Sequence, residues 1–125
     1  MTRDYSESRE QRKFFAMLQL RHPEIRQFTF SIPNGGKRTS SEAYRMVAEG
    51  LTKGVLDVMI AYPVGKHPGM FIEFKSETGS LTSEQRSMMY RFLSVGYRCY
   101  VCRSCEEAMQ RVEEYLELDA VEHKI

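Results

Sequence analysis

Hydrophobic and polar positions along the chain change period several times, and each change marks an element. From about Ser6 to Arg21, Phe14, Met17 and Leu18 recur at helical spacing among Arg, Lys and Gln. His22-Pro23 ends that helix, because the residue before a proline is driven out of the helical region. Gln27 to Ile32 alternates polar and apolar residues, as a half-buried strand does. Pro33-Asn34-Gly35-Gly36 breaks the pattern. Thr39-Ser40-Ser41-Glu42 then offers caps for a short helix over about Ser41 to Glu49, closed by Gly50.

Two apolar runs follow, Val55 to Tyr62 (VLDVMIAY) and Met70 to Lys75 (MFIEFK), joined by the turn-rich PVGKHPG. Both are apolar on both faces, which predicts central strands covered on each side. Thr82 to Val95 is a predicted helix, with Thr82 and Gln85 as a capping box and Gly96 as its stop. Tyr97 to Cys102 reads as a strand. Ser104 and Glu107 open a last helix to about Leu118, with a tail (DAVEHKI) expected to fray. The order α-β-α-β-β-α-β-α predicts an α/β fold: a single domain with a mixed central sheet of about four strands flanked by helices on both faces. Met88, Met89, Tyr90, Phe92 and Leu93 are expected to be mostly core, with any excess serving a dimer contact.

The charges inside the two apolar runs change the picture. Asp57 is the one charge in the first run, and Glu73 and Lys75 lie two apart, hence on one face, in the second. Charges in a low-dielectric interior need partners. If the runs pair as a hairpin, Asp57 lies across from Glu73, and two carboxylates and one ammonium meet at a point. A divalent cation relieves carboxylate repulsion. Bare salt bridges between Lys75 and either acid are the plain alternative, but buried ion pairs rarely outperform apolar packing.

The 125 residues carry 18 Lys and Arg against 17 Asp and Glu, so the net charge of +1 neither demands nor forbids a polyanionic partner. Candidate clusters are Lys37-Arg38, Arg45 with Lys53, and the Arg9, Arg12, Lys13 run, each of which is also what a solvated face looks like. No apolar stretch approaches a membrane span, and the polar start, MTRDYSESREQRK, does not read as a signal peptide. Cys99, Cys102 and Cys105 lack a fourth ligand at matching distance, and strand parity points Cys99 and Cys102 apart. They read as free thiols in a reducing, cytoplasmic setting. His67 reads as an exposed loop imidazole.

At these residues the sequence resembles the VRR-NUC nucleases, a branch of the PD-(D/E)XK superfamily. The resemblance rests on G-x-x-D at Gly54 to Asp57, E-x-K at Glu73 to Lys75 and the downstream Gln85, with IPNGG before them and GYRCYVCRS after. It spans roughly Glu7 to Ser104, within a core of about residues 7–118. Leu56 stands where the superfamily's name puts a proline, as it does in VRR-NUC members. The resemblance implies a restriction-endonuclease-like core binding Mg²⁺ or Mn²⁺. Asp57, Glu73 and the Phe74 carbonyl would be ligands, Lys75 the catalytic lysine, and Gln85 a contributor beside it. It also implies a first-helix acid, for which Glu7 is preferred and Glu10 is second. Ser8 with Gln11 could form a capping box that leaves Glu7 just outside the helix. Asn34, Lys37, Arg38 and Lys53 are candidates for DNA phosphates.

The short stand-alone members that the chain resembles are homodimers acting on branched DNA. The implied function is therefore a metal-dependent endodeoxyribonuclease of Holliday-junction-resolvase type, similar to small phage members of the family, cytoplasmic, with no nucleotide cofactor and no membrane partner. The alternatives are a nuclease nicking or cutting duplex or flap DNA without junction selectivity, and an inactive DNA-binding module of the same fold.

Overall fold

A computed structural model describes residues 5–33 and 39–122, with side chains through residue 118. The elements run α1 (Tyr5–Arg21), α2 (Pro23–Arg26), β1 (Thr29–Ser31), α3 (Ser40–Ala48), β2 (Val58–Ile60), β3 (Met70–Phe74), α4 (Ser83–Ser94), β4 (Arg98–Cys102) and α5 (Cys105–Glu122). The predicted order holds, with one short helix added. Pro23 ends α1 but also opens α2, because its fixed φ and missing N–H suit the first position of a helix. Gln27 closes α2, so β1 begins two residues later than the alternation suggests.

The four strands form one sheet in the order β1-β2-β3-β4. The first two pairings are antiparallel and β3 pairs with β4 in parallel. All five residues of β3 are buried, as befits a strand hydrogen-bonded on both edges and covered on both faces. Helices α1 and α5 pack on one face. Phe14 of α1 meets Phe74 at 5.8 Å between ring centroids, and Leu18, Met109, Val112 and Tyr115 close the same core against Val58, Ile60, Met70 and Ile72. The buried Tyr115 satisfies its hydroxyl by donating to the Tyr62 carbonyl at 2.7 Å.

Helix α4 covers the other face, where Phe92 stacks on Phe71 at 4.2 Å and Tyr97 flanks it at 5.5 Å. The expectation that this helix is mostly core is corrected here. None of its residues is fully buried; Met88, Met89 and Phe92 are half-buried, and Tyr90 and Leu93 are 66% and 43% exposed. The helix touches the sheet along one edge, and its apolar residues spread beyond that edge. Helix α3, N-capped by the Thr39 hydroxyl, has no buried residue either, and Tyr44 and Val47 stand 79% and 62% exposed.

The predicted strand over Val55 to Tyr62 contracts to Val58–Ile60, and its late start has a local reason. Gly54 adopts φ +87° and lies against the Glu84 carbonyl at the start of α4, so the chain enters the sheet late. A Cβ at Gly54 would collide with that backbone and would also occupy the left-handed region. Gly54→Ala is expected to destabilise the protein by about 2 kcal/mol or more, from backbone strain plus overpacking. Urea denaturation reads this as a lower midpoint; an unchanged midpoint contradicts the tight approach.

Candidate active site

The register of the β2–β3 hairpin decides which side chains meet. Val58 pairs with Ile72, Met59 with Phe71 and Ile60 with Met70. One further step sets Asp57 opposite Glu73, as the hairpin reading of the sequence predicts. The ladder does not simply continue there. The Asp57 backbone N–H donates to Glu73 Oε1 at 3.1 Å, and the Phe74 backbone N–H donates to Asp57 Oδ2 at 3.0 Å. Each carboxylate thus takes a backbone donor from the other strand. On its other edge Asp57 stays in the sheet, since its carbonyl accepts from the Ile32 N–H at 2.7 Å.

Glu73 is only 3% exposed. Its Oε2 accepts from the Gln85 side-chain amide at 2.9 Å and lies 3.4 Å from Lys75 Nζ. Burial, then the negative charge of Asp57, pushes the Glu73 carboxyl up to about 7, while Lys75 and the Asp57 N–H work in the opposite sense. Gln85 serves two ends at once. Its Oε1 accepts from the Thr82 N–H at 3.0 Å and the Thr82 hydroxyl accepts from the Gln85 N–H at 3.1 Å, a complete capping box. With the amide oxygen committed to the cap, the NH₂ end is the one presented to Glu73.

Glu7 lies inside the first turn of α1, not outside it, because the helix starts at Tyr5 and not after a cap at Ser8. Its Oε2 accepts from the Ser76 N–H at 3.2 Å, directly after Lys75. Glu10, the second candidate, turns elsewhere: its Oε1 accepts from the Cys105 N–H at 2.9 Å and so caps α5. Lys53 is exposed in the turn before Gly54. Asn34, Lys37 and Arg38 lie outside the described residues. His67 is half-buried, not exposed, with Nδ1 2.8 Å from the Gly96 carbonyl.

Sequence reasoning missed Arg103. Its guanidinium donates to the Ser76 carbonyl at 2.5 Å and also to the Gly79 carbonyl, which ties the loop after Lys75 to the end of β4. No spacing rule connects residues so far apart in the chain; the CRS of GYRCYVCRS was the one available signal. Among the described residues, Glu10, Cys105 and Glu106 bring three potential ligand atoms within 4.8 Å of one another. Burial, helped by hydrogen bonds from the thiol to the two acids, pushes the Cys105 thiol up to about 11. Burial also pushes up Cys99 and Cys102, to about 11 and about 12. All three cysteines are unpaired. No described helix is long and apolar enough to cross a membrane.

A model of the VRR-NUC domain matches residues 36–106. A solved structure described as a VRR_NUC domain protein superposes with a TM-score of 0.79, at 17% identity, over 94% of this chain and 93% of that one. No curated protein matches the sequence.

The raised Glu73 carboxyl has a consequence for metal-free protein. The folded state holds this proton more tightly than the unfolded state, so the stability it lends is present below pH 4.5 and is lost as pH rises towards about 7. Glu73→Gln removes the titration. In chelator, wild type should lose about 3 kcal/mol relative to Glu73→Gln between pH 4.5 and pH 8. Urea denaturation across that range checks it, and parallel profiles for the two proteins contradict it.

Proposed function

The chain belongs to the VRR-NUC domain family, and from that premise we propose that it is a Mg²⁺- or Mn²⁺-dependent endonuclease acting on DNA. Nuclease activity in general is what the family implies. The observation that carries the finer reading is the crossed pair of backbone bonds that fixes the Asp57 and Glu73 carboxylates beside each other at the end of β3.

The donor set fits a hard divalent cation. Asp57, Glu73 and the Phe74 carbonyl offer oxygen ligands, and Glu7 stands nearby at Ser76. The same burial and like charge that raise the Glu73 carboxyl are what a cation would offset. Such a cation, when bound, lowers the pKa of water and offsets charge on phosphate oxygens. The chain's own residues do the rest. Gln85 holds Glu73 Oε2 in place from the α4 cap. Lys75, only 12% exposed at its side chain, presents its ammonium beside Glu73 to orient the attacking water and to meet charge that grows on the phosphate. Lys53, together with Asn34, Lys37 and Arg38, is proposed to contact neighbouring phosphates.

Branched DNA, four-way junctions among them, is the preferred substrate in this reading, and a homodimer is the working form. Support for the dimer lies in the apolar side chains that the fold leaves uncovered, Tyr44 and Val47 on α3 and Tyr90 and Leu93 on α4. A two-fold pair would bring two sites to two strands. Three unpaired thiols suit a reducing, cytoplasmic setting.

Labelled four-way, flap, splayed, hairpin and duplex DNAs with Mn²⁺ or Mg²⁺ test the reading. Junctions should be cut fastest, and Lys75→Ala should lower cleavage at least about 100-fold in protein that circular dichroism shows to be still folded. Equal cutting of all substrates contradicts junction selectivity; full activity in Lys75→Ala contradicts the lysine's role. Analytical ultracentrifugation should show a dimer that Tyr44→Glu or Tyr90→Glu weakens, and a monomer at all concentrations contradicts it.

A further inference from the structure

The basic run of α1 divides in the folded protein. Arg9 and Lys13 both approach the Glu10 carboxylate, at 3.5 and 3.8 Å. Arg12 points to a different place. Together with Ser8, Gln11 and Phe15 it forms a helical stripe at spacings of three, four and seven residues, and that stripe lines a pocket of about 510 Å³. The opposite wall comes from Arg26 of α2 and from Thr29 to Ser31 of β1. The size lies within the range of about 300–1,000 Å³ usual for ligand sites.

The pocket is built for an anion. Two guanidinium groups line it, and none of its described lining residues is acidic. Among the described residues, neither Arg12 nor Arg26 has a carboxylate within salt-bridge distance. Arg26 is held in place: its Nη1 donates to the Thr29 carbonyl at 3.0 Å, and its guanidinium lies 4.7 Å above the Phe15 ring. That leaves further donors of its planar fork for a ligand. Phe30, 48% exposed, adds an aromatic surface at the rim.

Its location ties it to the candidate active site at both walls. Ser8 directly follows Glu7, whose carboxylate reaches Ser76 beside Lys75. Ser31 pairs with Val58, directly after Asp57, and the next N–H, that of Ile32, donates to the Asp57 carbonyl. A strand lying with one linkage at Asp57 and Glu73 would therefore lead along β1 onto Arg12 and Arg26.

We propose that this pocket is a second phosphate-binding subsite, in which Arg12 and Arg26 take a backbone phosphate of the same DNA strand that is cut, a few nucleotides from the scissile linkage. This rests on the nuclease reading of the neighbouring site.

Binding without cleavage separates the two ideas. Fluorescence anisotropy in chelator, with a labelled single strand and a labelled four-way junction, is read across a salt series for wild type, Arg12→Ala, Arg12→Glu and Arg21→Ala. Arg21 lies at the far end of α1 and pairs with Glu113 at 3.9 Å, so it reports the loss of one positive charge elsewhere. Arg12→Ala should bind roughly threefold to tenfold more weakly, with a salt slope smaller by about one, and Arg12→Glu more weakly still. Arg21→Ala should bind as wild type does. Arg12 is exposed, so the folded state is expected to survive both changes, and Arg26→Lys, which keeps the charge but loses the fork, should give an intermediate loss. Wild-type affinity and slope in Arg12→Glu overturn the subsite, as does an equal loss in Arg21→Ala. If wild type cleaves with metal while Arg12→Ala binds normally, the subsite falls and the nuclease stands. If the Arg12 effect appears but wild type never cleaves, the nuclease reading falls, the subsite as proposed falls with it, and a plain DNA-phosphate contact at Arg12 is what remains.

Discussion

Two acidic side chains exchange backbone donors across the β2–β3 hairpin, and the architecture around them follows from that exchange. The Asp57 N–H goes to Glu73 and the Phe74 N–H goes to Asp57, so neither carboxylate can leave without orphaning a backbone donor on the neighbouring strand. The arrangement places a carboxyl in the most buried strand of the sheet, where isolation would be costly. Gln85 and Lys75 complete its shell from α4 and from the strand's own end. Burial first, and the nearby charge of Asp57 second, still raise the Glu73 carboxyl against what these partners offset.

Supports for the pair come from three directions. Gly54 lets the chain before Asp57 lie against the start of α4, the same turn that carries the Thr82–Gln85 cap. Arg103 ties down the loop after Lys75, and Glu7 reaches that loop from α1. The acids thus rest on strand, helix cap and a braced loop, which is the preorganisation that charge stabilisation at a reacting phosphate requires.

Much of this was legible in the sequence because it is local. Charges inside apolar runs drew attention to the hairpin, and its turn-rich connection allowed Asp57 to lie across from Glu73, which the register then shows. Capping residues at Thr39, Thr82 and Ser104 marked helix starts within a residue. What escaped depends on distant packing. Nothing local distinguishes Glu7 from Glu10, both on α1; their fates are decided by β3's loop and by the start of α5. Helix α4 looked like core because apolar residues crowd into Met88 to Leu93, yet crowding does not say how much of a helix a sheet edge can cover. The short α2 was hidden by Pro23, which ends one helix and starts another. Arg12 read as one member of a solvated run, and only folding separates it from Arg9 and Lys13.

The claim on which most depends is that Asp57 and Glu73 hold one divalent cation between them. Isothermal titration calorimetry of Mn²⁺ into the metal-free protein tests it most directly. Wild type should bind with measurable heat, and Asp57→Ala, still folded, should lose that binding. Absence of binding in wild type, or binding that Asp57→Ala leaves unchanged, would contradict it.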